Sequence, residues 1–186
     1  MLVYQNTIIG EQTVRDPYSN AHWLNNLFMG RGTPDRGVMT WANATDEYGS
    51  DYNGFHPNPG VAAQYQWLAP KSGESSYEPK PEEWKSFRTL AELRAATGQE
   101  AHSRELDFDI FENLKPPNPA TRHAVYHAMD LNFRLKQGGG AIDAGIVIPT
   151  ITDGFIGKAP DLGALELGQP EPHYGPRWIT WQPFYR

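Results

Sequence analysis

The chain has 186 residues, 39% of them apolar, with 22 acidic against 16 basic side chains and a formal net charge of −6. That length fits one domain with a sizeable core, and the acidic balance argues against a nucleic-acid or anionic-membrane surface, which would need clustered Lys and Arg. With no cysteine, disulfide scaffolds, cysteine nucleophiles and thiolate metal sites are excluded, and no apolar run approaches the roughly 18 residues of a membrane span. Met1 opens directly onto Leu-Val-Tyr-Gln-Asn-Thr, without the apolar core of a signal peptide. The 18 Gly and 16 Pro make turns frequent and long helices few.

The first thirty residues contain a repeat. Val3-Tyr4-Gln5-Asn6-Thr7-Ile8-Ile9-Gly10 aligns at an offset of 20 with Trp23-Leu24-Asn25-Asn26-Leu27-Phe28-Met29-Gly30, and Gly49-Ser50-Asp51-Tyr52-Asn53-Gly54-Phe55 is a looser third copy. Units this short cannot bury an apolar face alone and must stack on one another. The stretches between them, such as Arg15-Asp16-Pro17-Tyr18-Ser19-Asn20, are turn-forming, so the unit is a strand repeat and not a helical one. Stacked strands lie ~4.8 Å apart, close enough for equivalent asparagines to hydrogen-bond in a ladder. Taken singly, each of these asparagines is equally at home as an ordinary turn residue.

Residues 56–85 read as a long irregular excursion with Pro57, Pro59, Pro79 and Pro81. A short helix follows over 89–97: Thr89 and Glu92 form a capping box, Leu90 and Leu93 share a face, and Gly98 ends it. Glu105 to Phe111 alternates with period two, predicting a strand with Leu106, Phe108 and Ile110 on one face and Glu105, Asp107 and Asp109 on the other. Leu131–Lys136 is a second alternating strand. Ala141–Ile148 and Leu162–Leu167 read as further strands, and 170–186 as an extended tail wrapping the body.

The segment Ser86-Phe87-Arg88-Thr89-Leu90-Ala91-Glu92-Leu93, continuing through Gly98-Gln99-Glu100-Ala101-His102, resembles one near the end of secreted right-handed parallel β-helix proteins of the pectate-lyase-like kind. The likeness continues through Leu131-Asn132-Phe133-Arg134-Leu135, Ala141-Ile142-Asp143-Ala144-Gly145 and Pro160-Asp161-Leu162-Gly163-Ala164-Leu165-Glu166, with Gly138-Gly139-Gly140 where Gly-Ser-Pro is usual. It covers about two-thirds of the chain, failing over 56–85 and the final eight residues. The resemblance implies an all-β fold: the C-terminal portion of a right-handed parallel β-helix, with one short α-helix and long loops. On this reading 1–169 holds coils and closing region, and upstream coils of a longer protein are missing. The strand edge from Val3 to Ile9 would then be unpaired and prone to association. It further implies an extracellular or cell-surface protein that acts on or binds polysaccharide, lyase-like or hydrolase-like. The alternatives are a non-catalytic carbohydrate-binding or structural module, or an inactive fragment.

Lyases of this fold, as the resemblance implies, abstract a proton beside a uronate carboxyl with Arg or Lys, often with Ca²⁺ neutralising the acid. Candidate substrate-binding residues are Asp107 and Asp109 on one strand and Arg134 and Lys136 on another, if those strands are neighbours; a solvated face with ordinary ion pairs is the plainer reading. Asp143 and Asp161, beside glycines, read as acceptors of turn amides, with a metal role for Asp153 or Asp161 the lesser alternative. His123 and His127 are four apart but lack an acidic third ligand, so no metal site is assigned. His22, His56, His102 and His173 have no evident partner. Trp41 and Trp67 offer sugar-stacking faces, whereas Trp178 and Trp181 suit packing of the tail. No phosphate-binding glycine loop, G-x-S-x-G or H-E-x-x-H is present, which leaves nucleotide-dependent chemistry, α/β-hydrolase-type serine catalysis and zincin activity without support, and no catalytic residue is assigned.

Overall fold

A computed structural model of the chain describes residues 1–13, 16–121, 124–127 and 130–171. Three strand–corner–strand units follow the sequence repeat. In the first, β1 (Leu2–Tyr4) and β2 (Thr7–Ile9) flank Gln5-Asn6. In the second, β3 (His22–Leu24) and β4 (Leu27–Met29) flank Asn25-Asn26. After β5 (Met39–Ala42), the third unit sets β6 (Gly49–Asp51) and β7 (Gly54–His56) about Tyr52-Asn53.

These units pair in parallel and in register. Leu2 lies on His22 and His22 on Gly49; Thr7 lies on Leu27 and Leu27 on Gly54. The two strands of a unit thus belong to different sheets, ordered β1-β3-β6 and β2-β4-β7, the latter extended by β10 (Arg104–Glu105). In a third sheet β5 pairs in parallel with β8 (Tyr65–Leu68), which pairs antiparallel with β9 (Lys85–Phe87). Gln12 adds a parallel bridge to Met39. The protein is mostly β, built on parallel sheets, with one α-helix.

Each corner turns on a left-handed residue: Gln5, Asn25 and Tyr52 have φ of 54°, 58° and 53°. Such a bend swings the chain from one sheet to the next and turns the following N–H away from the strand ladders. The asparagine that follows repairs this. Asn26 Oδ1 accepts from the backbone N and Nδ2 of Asn6 at 3.1 and 3.0 Å, and Asn53 Oδ1 accepts from those of Asn26, both at 3.0 Å. Asn26 Nδ2 also donates to Val3 O and Asn53 Nδ2 to Trp23 O. The predicted amide ladder is present, with Asn26 and Asn53 fully buried. At its lower end Asn53 N donates to Ser103 Oγ, and Asn53 Nδ2 reaches the carboxylate of Glu100. Glu100 is itself fully buried and accepts from Ser50 and Ser103. Burial lifts its carboxyl to about 7, against the lowering pull of the Ser103, Ser50 and Asn53 donors, with the charge of Asp51 adding to the rise.

Side chains of β4 are buried on both faces, because the strand lies between two cores. Phe28 faces an aromatic cluster with Trp23, Trp41, Phe55 and Tyr65, its ring stacked on Phe55 at 5.6 Å. Leu27 and Met29 face the other cluster, which holds Phe108, Ile110, Phe111, Leu135 and Leu162. The helix α1 (Leu90–Thr97) has the capping box and left-handed Gly98 read from the sequence, and buries Leu90 and Leu93 on the first cluster.

Several expected strands are absent. Residues 105–111 are not one strand: after Glu105 the chain forms a 3₁₀ turn, Phe108–Ile110, because the Asp107 carboxylate caps Phe108 N at 2.6 Å. The single row of outward carboxylates therefore does not form. Leu131–Lys136 reduces to one antiparallel bridge, Leu135 to Phe111. Ala141–Ile148 and Leu162–Leu167 form turns, bends and irregular chain, in which Asp143 adopts φ 52° and Gly163 φ 93°. The 56–85 stretch, conversely, is not wholly irregular, since it contains β8. Of the tail, 172–186, with His173, Trp178 and Trp181, lies outside the described residues, as does His123.

Candidate functional site

The turns that replace the expected C-terminal strands build the floor of a cleft of about 500 Å³. Its lining includes Gln5, Glu112, Arg134, Asp153, Phe155, Glu166 and Glu171. The floor is anchored to the stacked units: Gly163 N donates to Asn25 O at 2.8 Å and Ala164 N to Thr7 Oγ1 at 3.0 Å. Two carboxylates brace it. Asp161, buried, accepts from Asp143 N and Leu167 N at 2.8 and 2.7 Å, and Glu166 accepts from Ile156 N and Asp161 N, both at 2.9 Å. Desolvation raises both carboxyls above their ordinary range, opposed by those same amide donors. Asp143 accepts from Lys158 N and Ala159 N, and the Ala159 and Lys158 amides hold its carboxyl below the usual range. The turn-amide reading of Asp143 and Asp161 therefore describes their bonding.

Arg134 stands on the rim. The Leu135 bridge fixes its backbone, with Glu112 N donating to Arg134 O at 2.9 Å and Lys136 N to Ile110 O at 2.7 Å. Its guanidinium pairs with Glu171, Nε to Oε1 at 2.9 Å, both side chains being about half exposed at 52% and 56%. Gln5 looks in from the first corner, and its buried Oε1 has no hydrogen-bond donor among the described residues. The equivalent Asn25 shows what this position does when occupied: its side chain clamps the peptide of Ile146, donating to the O at 2.7 Å and accepting from the N at 2.8 Å.

The four candidate residues do not converge. Asp107 sits 3.6 Å from His56 Nδ1, giving that histidine an acidic neighbour the sequence did not reveal. Asp109 lies within the 3₁₀ turn, and among the described residues neither it nor Lys136 makes an ion pair. Arg134 alone reaches the cleft. His102 also gains a partner, Nδ1 lying 2.7 Å from Asp51 Oδ2 with its ring stacked on Tyr52. Trp41 and Trp67 belong to the buried aromatic cluster and offer no exposed face.

No protein family, curated protein or solved structure matches the chain. Four carboxylates and one guanidinium line the cleft, beside Phe155, three leucines and one isoleucine. Among the described residues no three His, Asp or Glu side chains are grouped to hold a metal ion. Gln5 and Glu171 escaped the sequence reading. The signal for Gln5 was its corner position, aligned with Asn25; Glu171 carried none.

Proposed function

We propose that the chain is a portion of a right-handed parallel β-helix protein that binds polysaccharide, with the cleft between Gln5 and Arg134 as its sugar site. The winding is supported by the order in which the chain visits the sheets: β1, β2 and Gln12, then β3, β4 and β5, then β6, β7 and β8, each set pairing in parallel with the next. Parallel crossovers of this sort are overwhelmingly right-handed. An extracellular setting and the kinship with pectate-lyase-like proteins belong to the same proposal.

The observation that carries the sugar reading is the lining of the cleft, where four carboxylates and the Arg134 guanidinium stand beside apolar side chains, with Gln5 at its edge. Sugar hydroxyls donate and accept at once, and a mixed polar lining with an apolar floor meets both needs. Binding without turnover is favoured by the bonding of the lining acids, since Glu166 and Asp153 accept from turn amides and Glu171 is paired with Arg134. The excess of carboxylates points to neutral over uronate chains.

Calorimetric titration with neutral and uronate oligosaccharides tests this, alongside an unsaturated-product absorbance assay with and without calcium. Saturable binding of a neutral oligosaccharide, weakened at least tenfold by Gln5→Ala or Arg134→Ala, is expected. Absence of binding to every glycan, or binding indifferent to both substitutions, refutes the site. Absorbance growth would replace binding by lyase chemistry.

A further inference from the structure

We propose that a second cleft, of about 420 Å³, binds an aromatic monocarboxylate, its ring among Tyr126, Phe133 and three prolines and its carboxylate between Arg31 and Lys115. The cleft lies over the sheet face of β2 that carries Ile9. Ile9 and Leu114 pack against the Leu27–Phe108 cluster and give the cleft an apolar floor. The Phe133 ring is set edge-on to Phe111, with centroids 6.4 Å apart, and Tyr126 is 52% exposed. Pro34, Pro117 and Pro119 add rigid apolar faces. A cleft of this size, mostly apolar and carrying a few placed polar groups, is the common form of a small-ligand site.

The charged groups give the class of ligand. Arg31 and Lys115 line this cleft and no carboxylate does, in a chain whose net charge is −6 and whose other cleft has four acids to one base. Arg31 is fixed from behind. Glu11, whose side chain is 3% exposed, accepts from Arg31 N and Nε, each at 3.1 Å, and from Nη2 at 2.8 Å. Buried Asn58 holds Glu11 in turn, its Nδ2 donating to Oε1 at 3.2 Å, while its Oδ1 accepts from Gly32 N at 2.7 Å. Burial alone would raise the Glu11 carboxyl, but the donors of Arg31 and Thr33 outweigh it and bring the group down to about 2, so Glu11 stays ionised.

One edge of the guanidinium is therefore locked, and its Nη1 donates to no described residue. Lys115 makes no ion pair among the described residues. Because Glu11 offsets the charge of Arg31, the net charge at the cleft is close to that of Lys115 alone, which suits a monoanion better than a phosphate dianion. The walls are preformed. Asn118 Oδ1 accepts from Ala120 N at 2.9 Å in the 3₁₀ turn Pro119–Thr121, and a Cβ on Gly32 would come to 3.1 Å from Pro119 Cγ, so the two lips already touch. Binding then carries little ordering cost.

Calorimetric titration of the whole chain with 3-phenylpropionate is the test, beside its neutral amide, the ringless butyrate and phenyl phosphate. Saturable one-to-one binding of 3-phenylpropionate at millimolar concentration or below is expected, with each of the other three at least fivefold weaker. Lys115→Gln removes no internal bond, so it should keep the native circular dichroism and weaken binding at least fivefold. Arg31→Lys leaves Glu11 a cation but removes the Nη1 donor, and should weaken binding by a similar factor. Lys71→Gln makes the same charge change at an exposed site outside the cleft and should leave binding unaltered. No saturation at millimolar ligand, equal binding of the amide or of butyrate, or tighter binding of phenyl phosphate overturns the inference. So does binding indifferent to Lys115→Gln, or a loss that Lys71→Gln reproduces.

Discussion

Glu100 should make the stability of this protein fall as pH rises through neutrality. Its carboxyl is fully buried and titrates near 7 in the folded chain against 4.5 for an unburied glutamate. Below pH 4.5 the group is protonated in both states and costs nothing. Between the two values the unfolded chain releases a proton that the folded chain keeps, so unfolding gains; above 7 the full penalty is present. At roughly 1.4 kcal/mol per pH unit, the displacement is worth about 3 kcal/mol. The perturbation is Glu100→Gln, which fills the same space beside Ser50, Ser103 and Asn53 without a titrating proton. Urea denaturation of both proteins at pH 4.5 and pH 8, followed by tryptophan fluorescence, gives the comparison. The native chain should lose about 3 kcal/mol relative to the variant across that interval, other groups cancelling. A constant difference, or one of opposite sign, would refute the reasoning, since the serine and asparagine donors would then outweigh desolvation.

Asn26→Ala should cost about 3 kcal/mol in chemical denaturation, leaving the Asn6 backbone N–H and Val3 O without their side-chain partner and taking one of two donors from buried Asn53 Oδ1, whereas Asn6→Ala, at the solvent end, should cost about 1 kcal/mol. Gly37→Ala should destabilise by roughly 3 kcal/mol, because a Cβ there runs into the carbonyl oxygens of Ala63 and Gln64, and a thermal melt registers the loss. Thr89→Ala removes the acceptor that Glu92 N uses at 3.2 Å and should lower stability by about 1 kcal/mol, with earlier amide exchange across Leu90–Thr97.

The repeat was legible because each unit repeats its own logic. The offset of 20 seen between Val3 and Trp23 is the pairing register itself. Asn6, Asn26 and Asn53 align because each must satisfy the N–H stranded by a left-handed corner, and that need is local enough to be written in a dipeptide. Helix α1 was legible for a similar reason, its cap and stop being adjacent residues. Beyond residue 104 local pattern misled. Leu106, Phe108 and Ile110 alternate, yet all three find apolar neighbours from a 3₁₀ turn as well as from a strand, and the Asp107 cap decides for the turn. The segments 131–148 and 162–167 are shaped by long-range bonds such as Ala164 N to Thr7 Oγ1, which no window of sequence contains. β8 hid inside a Pro- and Gly-rich stretch because its partner, Met39–Ala42, lies 26 residues away. Arg134 could be singled out by charge alone; its cleft could not, since the floor is made by those same distant bonds.

The two spacings between tiers differ: Leu2 to His22 is 20 residues, His22 to Gly49 is 27, yet the amide ladder runs through both without a slip. Seven extra residues have been absorbed wholly by the connecting chain. Such a body absorbs a difference of seven residues in its connecting chain without moving the clamp that sets the spacing between neighbouring storeys. Recognition can thus diversify along the flanks while the spine stays fixed.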